Sequence, residues 1–481
     1  MDIYDLTIIG GGSAGLVIAV AGAKLGKKTV LIEKHRIGGD CLWTGCVPSK
    51  ALLKAAKIAK YVDTAEKFGI QDSKGSPEWR KVMDYVRSTQ HVIEEEHDNP
   101  ERFRKMGIDV IFGDGRFETR DTFVVEDTEK GETRTLKSKR FVISTGSRPL
   151  APSIPGLESC DYLDSENVWD LEKLPQRLLV VGAGPIGIEL GQAFHRLGSD
   201  VTIAQRSGRI LSKEDEDVSE RMLHYLGSEG INIRLNTSIE KIEKQNEATK
   251  VTFSELKPSS SNQSEEQEFD NVLIAAGRSP NIEGLKLDKI GVQVEKNGIV
   301  VNDQLQTHVK HIFAAGDVIG HYLFTHVAAF QAQLLVRNFL LPFSKKINYS
   351  VVPWTTFCDP EIARCGMTES EAREKYGDVD VFTLDQKDVD RAVAEGETQG
   401  FTKVIATKWR GKILGVHIVG ANAGEVIHEY ILAMQEGIPL RKLGGMIHVY
   451  PTYSASVLRV AAKWLSEGTL ITTLRKLTGS G

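Results

Sequence analysis

The stretch DLTIIGGGSAGLVIAVAGAKLGKKTVLIE at residues 5–33 alternates between an apolar strand, a glycine loop, a helix and a second strand. A strand is predicted at residues 5–9, a helix to about residue 25, and the second strand at residues 29–32. The loop glycines permit a tight turn, close approach of backbone to a pyrophosphate, and packing of helix on strand. The residues expected at the phosphates are Gly10, Gly12, Ser13, Ala14 and Gly15. This pattern predicts a dinucleotide-binding βαβ unit.

The same pattern recurs about 170 residues later. RLLVV at residues 177–181 leads into GAGPIG, whose glycines are Gly182, Gly184 and Gly187. A helix is predicted to about residue 197, followed by a strand at residues 201–204. A single such glycine pattern is weak evidence, but both copies lie between a strand and a helix, as phosphate binding requires. Two tandem dinucleotide-binding units are therefore predicted.

The two units differ at the end of their second strand. The first ends in Glu33, a carboxylate that can hold ribose hydroxyls, which favours an adenosine without a 2′-phosphate, as in FAD. The second ends in Gln205 and Arg206. It therefore has a guanidinium in place of the carboxylate that would repel the 2′-phosphate of NADPH. This favours NADPH over NADH, although NADH stays possible, and a solvated surface role for Arg206 is the alternative.

A close cysteine pair lies in GGDCLWTGCVPSK at residues 38–50. Gly39 allows backbone to approach a flat ligand, and a helix is predicted to begin near Cys46. A helix N-terminus, with Lys50 one turn further on, lowers the pKa of a thiol. Cys41 and Cys46 are therefore predicted to be a redox pair. Half of a zinc site is the alternative, but no further ligand set is evident and no metal site is predicted.

The composition excludes several classes of protein. A net charge of -5 argues against nucleic acid or an anionic membrane as the main partner. No secretory signal and no run of about 20 apolar residues is found, so a cytoplasmic protein without a membrane span is predicted. Cys160, Cys358 and Cys365 are isolated and are interpreted as buried, inert thiols.

In these motifs the chain resembles the class I flavoprotein pyridine nucleotide-disulfide oxidoreductases, in particular the mercuric reductase-like and dihydrolipoamide dehydrogenase-like members. The resemblance extends to about residue 465. It includes both glycine loops, the cysteine motif, STGSRP with Thr145 and Gly146, GRSPN with Gly277 and Arg278, and AAGDV with Gly316 and Asp317.

The resemblance implies an α/β fold of two Rossmann-like domains plus a C-terminal α+β dimerisation domain. Residues 1–155 and 277–345 would form the FAD-binding domain, residues 156–276 the NAD(P)-binding domain, and residues 346–481 the dimerisation domain. The polar tract at residues 257–268 is predicted to be a solvated loop. A homodimer with an active site shared across its interface is also implied.

Site roles follow from the resemblance as well. Cys46 would face the flavin and Cys41 would meet the substrate. Lys50 would lie near flavin N5, paired with Glu189, and Asp317 would bind the ribityl chain. The helix that opens at residues 325–328, with Ala328 in its first turn, would direct its N-terminus at the flavin pyrimidine.

The chain departs from the disulfide-reducing pattern in its third domain. Those members carry His-Pro with a glutamate five residues after the histidine, and the histidine is the acid/base group. Here Tyr450 precedes Pro451 and Ala455 occupies the glutamate position. Tyrosine is a poor replacement because its ordinary pKa is about 10. His448 is a candidate substitute, with a structural interface histidine as the alternative.

The sequence thus predicts an FAD-dependent oxidoreductase that takes electrons from NADPH and passes them through Cys41 and Cys46 to a small disulfide, quinone or metal substrate. A dihydrolipoamide dehydrogenase, a mercuric reductase and a low-turnover redox sensor are the alternatives. No cysteine follows Cys365, whereas mercuric reductases usually carry a C-terminal cysteine pair that transfers the metal.

Overall fold

A computed structural model describes residues 3–73, 75–245, 248–256 and 265–478. Its first sheet has five parallel strands, in the order Ile312–Ala314, Phe141–Ile143, Leu6–Ile9, Thr29–Glu33 and Asp109–Phe112. These strands are short apolar runs because both faces of the sheet are buried. The helices Ser13–Lys24 and Thr325–Leu340 pack on one face.

A smaller sheet covers the other face of the first one. It contains Ile3–Tyr4, Glu132–Ser138, Thr122–Asp127 and Gly115–Thr119 in that order. Phe117 and Phe123 from this sheet pack against Phe141 in the core between the two sheets. The strand Ile312–Ala314 joins the first sheet although the whole second unit separates it from Phe141–Ile143. The domain boundaries at residues 155, 276 and 345 stay predictions.

The second unit has a four-stranded parallel sheet ordered Asn232–Arg234, Asp200–Ala204, Arg177–Val181 and Asn271–Ile274. The helices Pro185–Arg196 and Glu216–Ser228 belong to it. An antiparallel sheet of Thr237–Gln245, Ala248–Glu255 and Glu265–Phe269 follows. Both predicted βαβ units are therefore confirmed.

The predicted loop at residues 257–268 is wrong at its C-terminal end. Residues 257–264 lie outside the described residues, but Glu265–Phe269 is a strand paired with residues 249–253. Three of its glutamates are exposed and Phe269 is buried against Phe253. An edge strand needs backbone partners and one apolar anchor, so a polar composition does not exclude it.

The C-terminal region is the predicted α+β domain. Its antiparallel sheet is ordered Pro353–Thr356, Glu361–Gly366, Ile413–Gly420, Phe401–Thr407 and Val379–Asp385. The longer helices here are Glu369–Tyr376, Ala423–Gln435, Ala455–Glu467 and Thr469–Thr478. Between the first loop and the small sheet lie the helices Gly39–Trp43, Cys46–Asp63, Trp79–Ile93 and Pro100–Lys105. Among the described helices, none is long and apolar enough to cross a membrane.

A buried lysine ties the second unit to the C-terminal domain. Lys403 Nζ lies 3.1 Å from Asp215, 3.0 Å from Asp217 and 2.9 Å from Glu369. Burial of the ammonium opposes its charge, but the three carboxylates outweigh burial and raise the pKa of Lys403. The start of the helix Glu216–Ser228 is thereby held against the C-terminal sheet.

Candidate active site

The first glycine loop requires glycine at its two ends. Gly10 has a φ of +106°, and a Cβ there would lie 2.3 Å from the carbonyl oxygen of Ser144. A Cβ on Gly15 would lie 2.0 Å from the carbonyl oxygen of Gly10. Glu33 stabilises the loop, because its Oε2 accepts a hydrogen bond of 2.7 Å from the amide of Gly11.

The second loop repeats this geometry with one exchange. Gly182 has a φ of +109°, and a Cβ on Gly187 would lie 1.9 Å from the carbonyl oxygen of Gly182. The amide of Ala183 donates a hydrogen bond of 3.0 Å to Oε1 of Gln205, which therefore takes the place of Glu33. Among the described residues, exposed Arg206 has no hydrogen bond or ion pair.

One cavity of about 1900 Å³ extends from the first loop to the start of the second nucleotide-binding helix. Sixteen of the predicted site residues line it: Gly10, Gly12, Ser13, Ala14, Glu33, Gly39, Cys41, Cys46, Lys50, Thr145, Gly146, Glu189, Arg278, Gly316, Asp317 and Ala328. The other predicted residues lie outside its lining: Gly15, Gly182, Gly184, Gly187, Arg206, Gly277, His448 and Tyr450. The cavity therefore brings the cysteine pair and the first loop together.

The two cysteines are free thiols, and the helix Cys46–Asp63 begins at Cys46. Cys46 Sγ lies 3.3 Å from Thr325 Oγ1, at the start of the helix Thr325–Leu340. A hydrogen bond from Cys41, together with one from Thr325, lowers the pKa of Cys46 to about 6. The same hydrogen bond and burial raise the pKa of Cys41. In the reduced pair, Cys46 is thus the thiolate and Cys41 holds the proton.

The three remaining cysteines are buried, as predicted. Burial raises the pKa of Cys358 and raises that of Cys365 to about 12, so both stay protonated near neutral pH.

Lys50 and Glu189 form an ion pair beside the cysteines. Lys50 Nζ lies 3.0 Å from Glu189 Oε2 and 4.3 Å from the centre of the Phe357 ring. Glu189 is fixed in turn, because its Oε1 accepts a hydrogen bond of 2.8 Å from the amide of Phe357. The pair joins the cysteine helix to the second nucleotide-binding helix at the cavity wall.

Asp317 lies at the other side of the cavity and is largely buried. Its carboxylate accepts a hydrogen bond of 2.8 Å from Ser147, and burial raises its pKa. Arg278 donates to Ser147 Oγ at 2.7 Å and is ion-paired with Asp40. These contacts hold a carboxyl group at a fixed position in the cavity wall.

The backbone of the neighbouring segments is fixed as well. The amide of Asn281 donates to the carbonyl of Gly146 at 3.0 Å, and Thr145 Oγ1 donates to the carbonyl of Asn281 at 2.6 Å. Leu150 donates its amide to the carbonyl of Gly277 at 3.0 Å.

The residues fit a long, flat ligand such as FAD. A Cβ on Gly39 would lie 3.0 Å from the Cα of Gly12, so side chains at these positions would fill the channel. The helices that begin at Ser13 and Thr325 both direct their N-termini at the cavity, which favours phosphate or another anion there.

His448 and Tyr450 lie in the exposed segment at residues 446–450. His448 Nε2 is 3.1 Å from Glu429 Oε1, its Nδ1 is 3.4 Å from the carbonyl of Met446, and its side chain is only 8% exposed. Tyr450 is 72% exposed. Both nitrogens of His448 therefore face its own subunit, and contact of either residue with a partner's Cys41 stays a prediction.

Residues 4–332 match the family described as pyridine nucleotide-disulphide oxidoreductase. The chain belongs to this family. Residues 352–461 match the dimerisation domain of the same oxidoreductases, which supports a homodimer. The resemblance inferred from the sequence motifs is thus confirmed, and the oxidoreductase is FAD-dependent with a pyridine nucleotide substrate.

Two curated relatives with different names are similar to this chain over most of its length. A mercuric reductase of Lysinibacillus sphaericus is 37% identical over 469 residues, which cover 96% of this chain and 82% of the relative. A dihydrolipoyl dehydrogenase of Chlamydia muridarum is 32% identical over 458 residues, which cover 94% of each chain.

Among solved structures, the HOCl-induced flavoprotein disulfide reductase RclA from Escherichia coli superposes on this oxidoreductase with a TM-score of 0.85. It is 28% identical, and the match covers 95% of this chain and 99% of the other. A Cu(II) complex of RclA superposes with a TM-score of 0.84 at 27% identity, covering 96% of this chain and 99% of that one.

Sequence reasoning missed three partners of the site residues. Three contacts are visible only in the structure: the Thr325 hydroxyl with Cys46, Gln205 with the amide of Ala183, and the Glu429 carboxylate with His448. Only Gln205 had a detectable signal, since it occupies the position in the second unit that Glu33 occupies in the first.

Proposed function

We propose that this chain uses NADPH to reduce the Cys41–Cys46 pair and passes the electrons to a quinone or a metal ion more readily than to a small disulfide. The observation that carries this proposal is the orientation of His448, the candidate base: its Nε2 lies 3.1 Å from Glu429 and its Nδ1 lies 3.4 Å from the carbonyl of Met446, both in its own subunit. The lowered pKa of Cys46 and the raised pKa of Cys41 agree with it.

The residues around the cavity are those that would hold FAD. The loop from Gly10 to Gly15 would receive the pyrophosphate, Glu33 the adenosine ribose and Asp317 the ribityl chain. Lys50, fixed by Glu189, would place a positive charge beside the reactive ring. When bound, FAD supplies the two-electron relay between the nicotinamide and the disulfide.

The preference for NADPH rests on the second loop. Gln205 takes the contact with the loop amide but has no negative charge to repel a phosphate. Arg206 lies next to it, exposed and without a partner among the described residues, so its guanidinium is available for a 2′-phosphate.

The state of Cys41 determines which substrates react easily. Attack on a disulfide needs a thiolate, so the proton of Cys41 must first be removed by a base. A positioned base contributes about 10²–10⁴-fold to such a step. Tyr450 and Ala455 replace the usual histidine and glutamate, and both ring nitrogens of His448 are turned to groups of its own subunit. Lipoamide and glutathione disulfide are therefore expected to be poor substrates, so a dihydrolipoamide dehydrogenase is a weaker proposal.

A soft metal ion is the more specific candidate. A coordinating metal deprotonates a thiol without a separate base, so Cys41 could bind it directly. The similarity to a relative named mercuric reductase and to a neighbour solved as a Cu(II) complex favours this class. A quinone avoids the requirement in another way, because it accepts electrons without thiol–disulfide exchange.

An anaerobic titration with NADPH, followed by separate additions of lipoamide, a quinone, Cu(II) and Hg(II), tests the proposal. We expect a long-wavelength absorption band on two-electron reduction, and faster reoxidation by the quinone or a metal than by lipoamide. Cys46→Ser should abolish the band, whereas Cys41→Ser should retain it. Lipoamide turnover as fast as that with the other acceptors would overturn the substrate proposal, and an unchanged band in Cys46→Ser would overturn the role of Cys46.

A further inference from the structure

The end of the first sheet remote from the cavity carries positive charge and exposed apolar side chains. Parallel register places the residues that precede the strands at one edge, so Lys28 and Arg140 lie there on either side of the strand Leu6–Ile9. Asp5, which precedes that strand, accepts hydrogen bonds from the amide of Lys28 and from Lys139 Nζ. This edge and the loop after residue 340 are here called the basal face. Its cationic residues are Lys27, Lys28, Lys139, Arg140, Lys345 and Lys346.

Two helices bring the apolar part of the basal face to the same level. The helices Ser13–Lys24 and Thr325–Leu340 pack together, and near their start a Cβ on Gly316 would lie 3.8 Å from the Cβ of Ala14 and 3.6 Å from that of Ala328. Leu25 and Phe339 each follow these alanines by eleven residues. At about 1.5 Å per residue, both positions lie about 16 Å from the cavity end.

The loop after the second helix presents an apolar tip. Arg337 donates to the carbonyl of Phe343 at 3.0 Å, and the side chain of Asn338 bonds to the backbone of Lys345 at 2.8 and 2.9 Å. The loop is thus fixed on the last helical turn. Phe343 is nevertheless 80% exposed, and Leu340 and Leu341 beside it are also exposed.

Among the described residues, three carboxylates lie at this end of the sheet: Asp5 is bonded to Lys139 and to the amide of Lys28, Asp303 is bonded to Lys346, and Asp121 lies 3.2 Å from His311. The six cationic residues outnumber these three described carboxylates. The charge distribution is therefore uneven, since the whole chain has a net charge of -5. The face also lies outside residues 352–461, which match the dimerisation domain.

We propose that the basal face binds the surface of an anionic phospholipid membrane. Clustered lysines and arginines around an exposed aromatic tip match a negatively charged headgroup layer over an apolar interior. Phe343 and Leu341 would enter the acyl boundary while the lysines contact phosphate. The cavity opens at the opposite ends of the two helices, so a membrane-bound enzyme would keep its cavity in water.

The test is sedimentation of the FAD-loaded protein with phosphatidylglycerol-rich vesicles and with phosphatidylcholine vesicles. We expect binding to the first and much less to the second, and weaker binding at high salt. One cation near an anionic membrane contributes about fivefold to partitioning, so Lys27→Glu/Lys345→Glu should lower it by at least about 30-fold. Lys173→Glu/Lys375→Glu, exposed lysines elsewhere with the same charge change, should bind like wild type.

Phe343→Ser separates a lipid surface from other polyanions. It should weaken vesicle binding while NADPH-driven turnover in solution stays at the wild-type level, because the cavity is remote. No binding of the wild-type protein to anionic vesicles, or equal loss in both lysine pairs, would overturn the proposal. The proposal would also be overturned if Phe343→Ser bound anionic vesicles like wild type and the protein bound duplex DNA equally well. That result would identify a surface that binds polyanions in general.

Discussion

Thr325 and Cys41 together decide where the proton of the reduced cysteine pair resides. Both donate toward Cys46, and Lys50 adds a positive charge nearby, so the thiolate on Cys46 is stabilised although burial disfavours it. The fold thereby separates the two roles of the pair: one sulfur carries charge toward the cofactor site and the other carries the proton.

The Thr325 hydroxyl can be removed without changing the shape of the side chain. The pKa of Cys46 is lowered to about 6, so its thiolate is present above that pH and is lost as the pH falls through it. In Thr325→Val we expect the midpoint of the long-wavelength band to move upward by about one to two pH units, since a hydrogen bond to a charged group is worth about 1.5–3 kcal/mol. Thr325→Ser, which keeps the hydroxyl, should titrate like wild type. A midpoint unchanged in the valine variant would remove Thr325 from this role.

Arg206 and Arg209 offer a matched pair for coenzyme choice. Arg206 has no partner among the described residues, whereas Arg209 is bonded to the carbonyl of Ser212 at 2.7 Å. Arg206→Ala should lower kcat/KM for NADPH by about tenfold or more and spare NADH, because one charge-assisted phosphate contact is lost. Arg209→Ala should affect both coenzymes alike through the loop. Equal losses with both coenzymes in Arg206→Ala would assign Arg206 a structural role instead.

Two of the glycines in the second loop are expected to respond differently to replacement by alanine. A Cβ on Gly187 would lie 1.9 Å from the carbonyl of Gly182, but a Cβ on Gly184 would meet nothing within 4 Å. Gly187→Ala should therefore lower the unfolding temperature. Gly184→Ala should leave that temperature unchanged and raise KM for NADPH, because the added methyl group occupies the path of the pyrophosphate. Differential scanning calorimetry and steady-state kinetics measure the two effects, and a destabilised Gly184→Ala would contradict this division.

The βαβ units were predictable because the backbone geometry of each phosphate-binding loop requires glycine at fixed positions. The spacing of those glycines is visible in the sequence. The strand Glu265–Phe269 was not, since its pairing with residues 249–253 depends on backbone position and not on composition. The same limit applies to Glu429, which lies 19 residues before His448 on a different element. Contacts between side chains of distant elements leave no local pattern in the sequence.

The exposed segment at residues 446–450 is expected to be buried at the interface of a homodimer. Ile447 is fully exposed and Val449, two residues further on, is 77% exposed, which is unusual for two apolar side chains so close together on the surface of a monomer. Ile447→Asp should shift the protein to monomers in analytical ultracentrifugation, whereas Tyr376→Asp, at an exposed aromatic residue elsewhere in the same domain, should not. If the substrate site is shared, the monomer should still oxidise NADPH once per cysteine pair but lose turnover with acceptors. A dimeric Ile447→Asp protein would refute this interface.

The contact between Gln205 and the amide of Ala183 has an evolutionary consequence. Glutamine and glutamate are nearly isosteric, and the oxygen that accepts the bond is present in both, as the Glu33 contact with Gly11 demonstrates. Their codons differ by a single base. A lineage can therefore exchange one for the other in a single step, keep the bond to the loop amide and alter the charge that the coenzyme meets, at the loss of the hydrogen bond from Gln205 Nε2 to the carbonyl of Arg209.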